Sequence, residues 1–140
     1  MIKRRLACPL LLSLALLSGC AGMVTAPEQP VSDNSAVISL VGTARTDIAG
    51  GRFDAAAASL ERALRIEPNN PALWQELAKL RLQQGQYQQA EGLAARSNGW
   101  AGNDKSLRAE NWRIIGQARL KRGDYPGAQN AFDKAAELAN

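Results

Sequence analysis

The sequence predicts an all-α fold, a short solenoid of about three helix-turn-helix repeats occupying residues 36–140. Three observations carry this expectation. A motif recurs: Gly51-Arg52-Phe53 is followed by Ala56, Gly85-Gln86-Tyr87 by Ala90, and Gly123-Asp124-Tyr125 by Ala128. The glycines stand 34 and then 38 residues apart, a period that suits two antiparallel helices with the glycine in the turn between them. From Ala36 onward the chain is also rich in Ala, Leu, Gln, Glu and Arg, which are good helix formers. Finally, large and small apolar residues flank each glycine at helical spacing, so each unit has a face to pack on its neighbours.

The chain starts with charges in Met1-Ile2-Lys3-Arg4-Arg5, continues with an apolar run from Leu6 to Leu17, and reaches the small residues Ser18 and Gly19 before Cys20. That order is the pattern of a secretory signal segment. The apolar run has 12 residues, well short of the roughly 20 that a spanning helix needs. Residues 1–19 therefore read as a targeting segment that is removed. Leu17-Ser18-Gly19-Cys20 resembles the lipobox of bacterial lipoproteins. That resemblance implies cleavage before Cys20, a diacylated Cys20 thiol and usually an acylated new amine. Ala21, where an Asp would favour inner-membrane retention, implies the outer membrane, with the protein facing the periplasm. A single acyl chain anchors only marginally, whereas two or three hold the protein in place.

Residues 20–35 are expected to form the lipidated tether. From Ala21 to Ser35 there is no helical period, and Pro27 and Pro30 interrupt the stretch. Fully extended, such a segment reaches about 50 Å.

The repeats are expected at about 37–70, 71–104 and 107–140. Trp74, Leu77 and Ala78 supply a large, large, small series in the first helix of the second unit, and Trp112, Ile115 and Gly116 do so in the third. Ala128, Phe132 and Ala135 give the last helix its contact face. The first unit is weaker, with Leu40, Thr43 and Ala44, but continues with Ala56, Leu60, Ala63 and Pro68, and Asn69-Asn70-Pro71 links it to the second. These positions resemble the tetratricopeptide-repeat (TPR) pattern over about three quarters of the chain. The sequence also departs from that pattern. Asp47, Arg81 and Arg119 stand where an aromatic is usual, and Ala94 and Ser97 where a large residue and an alanine are usual. Four extra residues fall around Asn98–Asn103, and no separate capping helix follows the third unit. The last helix is therefore either polar outside or an interface.

No catalysis is expected, because the acidic residues that could pair are spread over the helix surfaces without convergence. There is no histidine, and of the two cysteines Cys8 is expected to leave with the signal segment and Cys20, by the lipobox resemblance, to carry lipid, so no Ser/His or Cys/His pair, disulfide or thiolate metal site is expected. Gly50-Gly51 is a repeat turn and not a phosphate cradle, because no Walker-type lysine follows it. No cofactor and no small-molecule substrate is implied. The net charge of +4 falls away with Lys3, Arg4 and Arg5, which leaves 14 of the 17 basic residues against 13 acidic ones. A nucleic-acid binder would keep a basic excess.

The expected activity is protein binding. TPR arrays bind mainly through the face made by their first helices, which the resemblance assigns here to Ile38, Val41, Arg45 and Ile48, to Gln75, Lys79 and Leu82, and to Arg113, Gln117 and Lys121. Arg45, Lys79 and Arg113 are expected on corresponding faces of successive helices, with Arg81 and Arg119 on the rim. The result would be a mildly basic groove for an acidic or polar peptide, the alternative being ordinary solvated charges. The asparagine-lysine clamp of chaperone-binding members is absent, since Val41 and Gln75 occupy its lysine slot. Trp100, in the extra residues, is a candidate interface anchor; a fold back onto the second unit is the other possibility.

The lipobox, short tether and compact repeats together are similar to the LpoP-type activators of bifunctional class A penicillin-binding proteins, which implies a peptidoglycan synthase as partner. A pilotin-like or other envelope-assembly TPR lipoprotein, with a secretin or protease partner, is the alternative.

Overall fold

The computed structural model describes residues 30–140. The signal segment, Cys20 and the tether up to residue 29 lie outside the described residues. Six helices follow one another: α1 (Ser35–Ala49), α2 (Phe53–Ile66), α3 (Pro71–Gln83), α4 (Tyr87–Trp100), α5 (Lys105–Lys121) and α6 (Tyr125–Ala139). Each helix packs against the next, and α3 also touches α5. Among the described residues none of the helices is long and apolar enough to cross a membrane.

The three motif glycines sit where their spacing put them, each just past the end of a first helix with φ of 72°, 74° and 83° at Gly51, Gly85 and Gly123. Only a residue without Cβ adopts this left-handed conformation at no steric cost. All three turns close with the same pair of bonds. Gly51 N–H reaches the Ile48 carbonyl and Arg52 N–H the Asp47 carbonyl, and the Gly85/Gln86 and Gly123/Asp124 pairs do likewise. This is the Schellman arrangement, which satisfies carbonyls that the helix end would leave bare.

The first helix of every unit starts on an Asx cap. Asn34, Asn70 and Asp104 accept hydrogen bonds from backbone N–H groups of the first turns of α1, α3 and α5, where such caps contribute about 1 kcal/mol each. The position of Asp104 decides the fate of the four extra residues. Counted from the equivalent tryptophans Trp74 and Trp112, Lys105 lies four residues ahead of the counterpart of Pro71. The insertion is therefore an added first turn of α5 and not a loop, and Asn98, Gly99 and Trp100 belong to α4.

Two apolar clusters form the core. Val37, Val41, Leu60, Leu64, Leu73 and Leu80 anchor the first, between α1, α2 and α3. The second joins Ala78, Ala90, Ala94, Ile114, Ile115 and Ala131 from the last four helices. Small residues predominate in the second, which allows close approach of the backbones. Each tryptophan of the repeat is half-buried against a cluster and covered by a cation from the second helix of its own unit, Arg96 over Trp74 at 4.1 Å and Lys134 over Trp112 at 4.3 Å. Both pairs are 22 residues apart, so the contact recurs in register.

The outer side of α6 carries exposed Gln129, Asn130, Asp133, Lys134 and Glu137, so this face of the last helix is polar. At the other end, residues 31–34 are not loose, although the sequence placed them in the tether. Val31 packs on the first cluster, its carbonyl accepts from Asn70 Nδ2 at 2.8 Å, and Ser32 Oγ donates to Glu67 Oε1 at 2.6 Å.

Candidate functional site

A cleft of about 760 Å³ lies between α3, α5 and the entering chain. Gln75, Glu76, Lys79, Leu107, Glu110 and Arg113 contribute to its lining, and Pro30 and Val31 close one end. A buried polar network holds its two main walls at a set distance. Gln75 Nε2 donates to Asn111 Oδ1 at 3.0 Å and to the Leu107 carbonyl at 3.1 Å. Asn111 Nδ2 in turn donates to Ser97 Oγ at 2.8 Å and Asn98 Oδ1 at 3.0 Å, and Ser97 Oγ donates to the Pro71 carbonyl at 2.7 Å. Asn111 and Ser97 are fully buried, so this chain through α3, α4 and α5 fixes their relative placement by satisfying groups that would be costly if left unpaired. The departure at Ser97 thus has a physical role: an alanine would leave Asn111 and the Pro71 carbonyl short of a partner.

The expected basic residues divide between two faces. Lys79 and Arg113 line the cleft, and Arg45 joins its edge through Glu76 Oε1 at 3.6 Å. Gln117 and Lys121 are exposed on α5 beyond Arg113 and outside the lining. Counted from the tryptophans, the register partner of Lys79 is Gln117, and Arg113, one turn earlier, is the counterpart of Gln75. Arg81 is not on this face. Its guanidinium bonds Glu61 on α2 at 3.2 Å and it borders a separate, smaller cleft with Leu77, Gly92 and Arg96. Arg119 likewise turns to α4, pairing with Glu91 at 2.7 Å, and Arg122 pairs with the same carboxylate at 2.9 Å. At the two positions where the repeat pattern usually has an aromatic, arginines bridge instead to the second helix of the preceding unit. At the third, Asp47 pairs with Arg52 across the first turn at 2.8 Å.

The first unit also differs from expectation. Val41 is buried in the core and Ile48 packs against it, because the interior face of α1 runs through Val37, Val41 and Ala44. Thr43, placed by sequence in a large apolar slot, is exposed and returns its hydroxyl to the Ser39 carbonyl. Only Ile38 and Arg45 of the four inner candidates are exposed.

The cleft is not simply basic. Glu76 lies 3.8 Å from Lys79, and Glu110 lies 3.0 Å from Arg113. Two carboxylates therefore alternate with the two cations along the walls. A search for like charges passes over them, yet the i,i+3 spacing of each pair was readable in the sequence. Trp100, in the last turn of α4, is 48% exposed. Among the described residues no group of three or more potential ligands could hold a metal ion.

The sequence profile of the tetratricopeptide repeat matches residues 47–109. Among solved structures, the globular C-terminal domain of P. aeruginosa LpoP is similar, with 41% identity and a TM-score of 0.73 over 75% of this chain and 99% of that one. The chain belongs to the tetratricopeptide-repeat family and is of the LpoP type. The N-terminal domain of stress-induced protein-1 from C. elegans matches at 14% identity and a TM-score of 0.67, over 75% of this chain and 87% of that one. The TPR domain of Sgt2 from Aspergillus fumigatus matches at 24% identity and 0.68, over 81% and 72%. These last two share the fold alone. A search of curated protein sequences finds no significant match. For an LpoP-type TPR domain the coarse consequence is a scaffold whose work is to contact another protein.

Proposed function

We propose that this protein is a lipid-anchored, periplasm-facing scaffold of the outer membrane that binds a bifunctional class A penicillin-binding protein and raises its peptidoglycan-synthesising activity. The observation that carries the reading is the 41% identity that extends over 99% of the LpoP domain. The lipobox-like Leu17–Cys20 and the expected tether support it, because acylation at Cys20 would hold the domain at a membrane surface with limited reach. The scaffold itself catalyses nothing; it would act by binding the active conformation of the synthase better than the resting one, which shifts the population toward activity. The cleft of α3 and α5, with Lys79 and Arg113, is the docking surface in this reading, and Trp100 is a second, separate contact.

The test is reconstitution. The mature protein is added to a purified class A synthase in detergent, and glycan polymerisation from lipid-linked precursor is followed. A faster rate that saturates with added scaffold supports the proposal. An unchanged rate together with no detectable complex refutes it.

A further inference from the structure

The second helices carry a repeat of their own. Ile66, Trp100 and Leu138 stand 34 and 38 residues apart, the intervals of the motif glycines, so they share one register position at the ends of α2, α4 and α6. Ile66 is 46% exposed, nearly as much as Trp100, and Leu138 is half-buried. One turn earlier each helix has an exposed cation, Arg62, Arg96 and Lys134. Leu120 and Tyr125 are exposed too, but beside the last glycine turn, and their counterparts Leu82 and Tyr87 are half-buried. That pair is bare in the third unit alone. The position of Ile66 and Trp100 is bare in the first two units, each of which has a successor packed on it.

The chain enters the domain at this same edge. Ser32 Oγ donates to Glu67, the residue after Ile66, and Asn70 holds the Val31 carbonyl. The glycine turns lie at the other edge, a helix length of about 20 Å away. The ten residues from Cys20 to Gln29 reach at most about 35 Å, so acylation at Cys20 would keep this edge that close to its bilayer. A short tether gives the two surfaces a high effective concentration, and weak contacts then suffice to bring them together.

The residue types suit a phospholipid surface. Tryptophan favours the headgroup boundary. A turn of helix is about 6 Å, so with the three apolar tips at the acyl boundary Arg62, Arg96 and Lys134 stand at the depth of the phosphates. Between the tips lie exposed polar loop residues such as Asn69 and Asn103. A dry protein interface would leave such groups unpaired, whereas a headgroup layer solvates them. Carboxylates are present as well. Glu67 is bound to Ser32 and Asn70, Asp104 caps α5, and Asp33 and Glu137 are exposed. Apolar insertion, and not net charge, therefore carries the attraction.

We infer that this edge rests on the phospholipid leaflet that the anchor enters, with Ile66, Trp100 and Leu138 at the acyl boundary. The inference rests on lipidation at Cys20, and it makes lipid, not the synthase, the occupant of the separate contact at Trp100. Lys79 and Arg113 each lie eight residues past the start of their helices, about 12 Å from the edge, and stay open to the synthase.

The experiment uses the mature chain purified from bacterial envelopes. It is reconstituted into vesicles of phosphatidylethanolamine and phosphatidylglycerol whose acyl chains carry bromine, which quenches tryptophan only on near contact. Quenching of the wild type is expected, and its loss in Trp100→Phe, where Trp74 and Trp112 are left to report. Ile66→Asp, a change at an exposed position, is expected to remove most of the quenching with an unchanged helical circular-dichroism signal. Acylated wild type that floats with the vesicles but is quenched no more than Trp100→Phe overturns the inference and leaves the anchor standing. A chain without acyl groups at Cys20 by mass spectrometry overturns both. Shielding of Trp100 from a soluble quencher only when the synthase is added would make the edge a protein contact, which also overturns the inference.

Discussion

Phe132 on α6 lies so close to Gly116 on α5 that a Cβ on the glycine would stand 2.5 Å from Phe132 Cε1 and within 3.0 Å of two further ring atoms. The small slot of the third unit is therefore set by a particular neighbour. Gly116→Ala ought to gain up to about 1 kcal/mol from helix propensity. The clash is expected to reverse the sign and leave a net loss of roughly 1–2 kcal/mol. Thermal unfolding followed by circular dichroism reads this directly, and Phe132→Leu in the same background should recover part of the loss.

Glycines elsewhere respond in opposite directions. Gly85 has φ of 74°, so Gly85→Ala is expected to cost about 1–2 kcal/mol. Gly92 lies inside α4 with nothing within 4 Å of where its Cβ would be, so Gly92→Ala is expected to stabilise by roughly 0.5–1 kcal/mol. Denaturant midpoints of the two variants should move to opposite sides of the wild type.

Asn111 links three helices from a fully buried position. Asn111→Ala removes bonds from Gln75 and Ser97 at once, and each buried polar group left unpaired costs about 1–3 kcal/mol. The expected outcome is a loss larger than for Ser97→Ala, accompanied by faster hydrogen exchange at the α3–α5 contact.

Arg119 and Arg122 share the Glu91 carboxylate across the α4–α5 boundary. These groups are partly exposed, so Glu91→Gln is expected to cost no more than about 1 kcal/mol. Most of that difference should vanish when the two proteins are compared in 1 M salt, where the screening length is about 3 Å.

Much of this architecture was legible in the residues, because the features that make it are local. A glycine that must be left-handed, an Asx residue that caps and a tryptophan at fixed distance all act within a turn or two, so their recurrence at Gly51, Gly85 and Gly123 reports the units directly. The four extra residues were misplaced because Lys105–Arg108 suit a helix as well as a loop, and only the capping by Asp104 settles which. The site was harder to read. Arg81 and Arg119 are cations in sequence like Lys79, but their positions on α3 and α5 turn them to the second helices, where Glu61 and Glu91 await them. The entering chain was read as tether because Pro30 and its neighbours have no period. Their docking depends on Asn70 and Glu67, more than 30 residues away.

Binding of the synthase to the mature protein and to a Lys79→Glu, Arg113→Glu double variant, each checked for an intact helical signal, bears most directly on whether this TPR cleft is the working surface. Tight binding by the wild type and loss of it in the double variant is the expected result. Equal binding by both, or none by either, would contradict it.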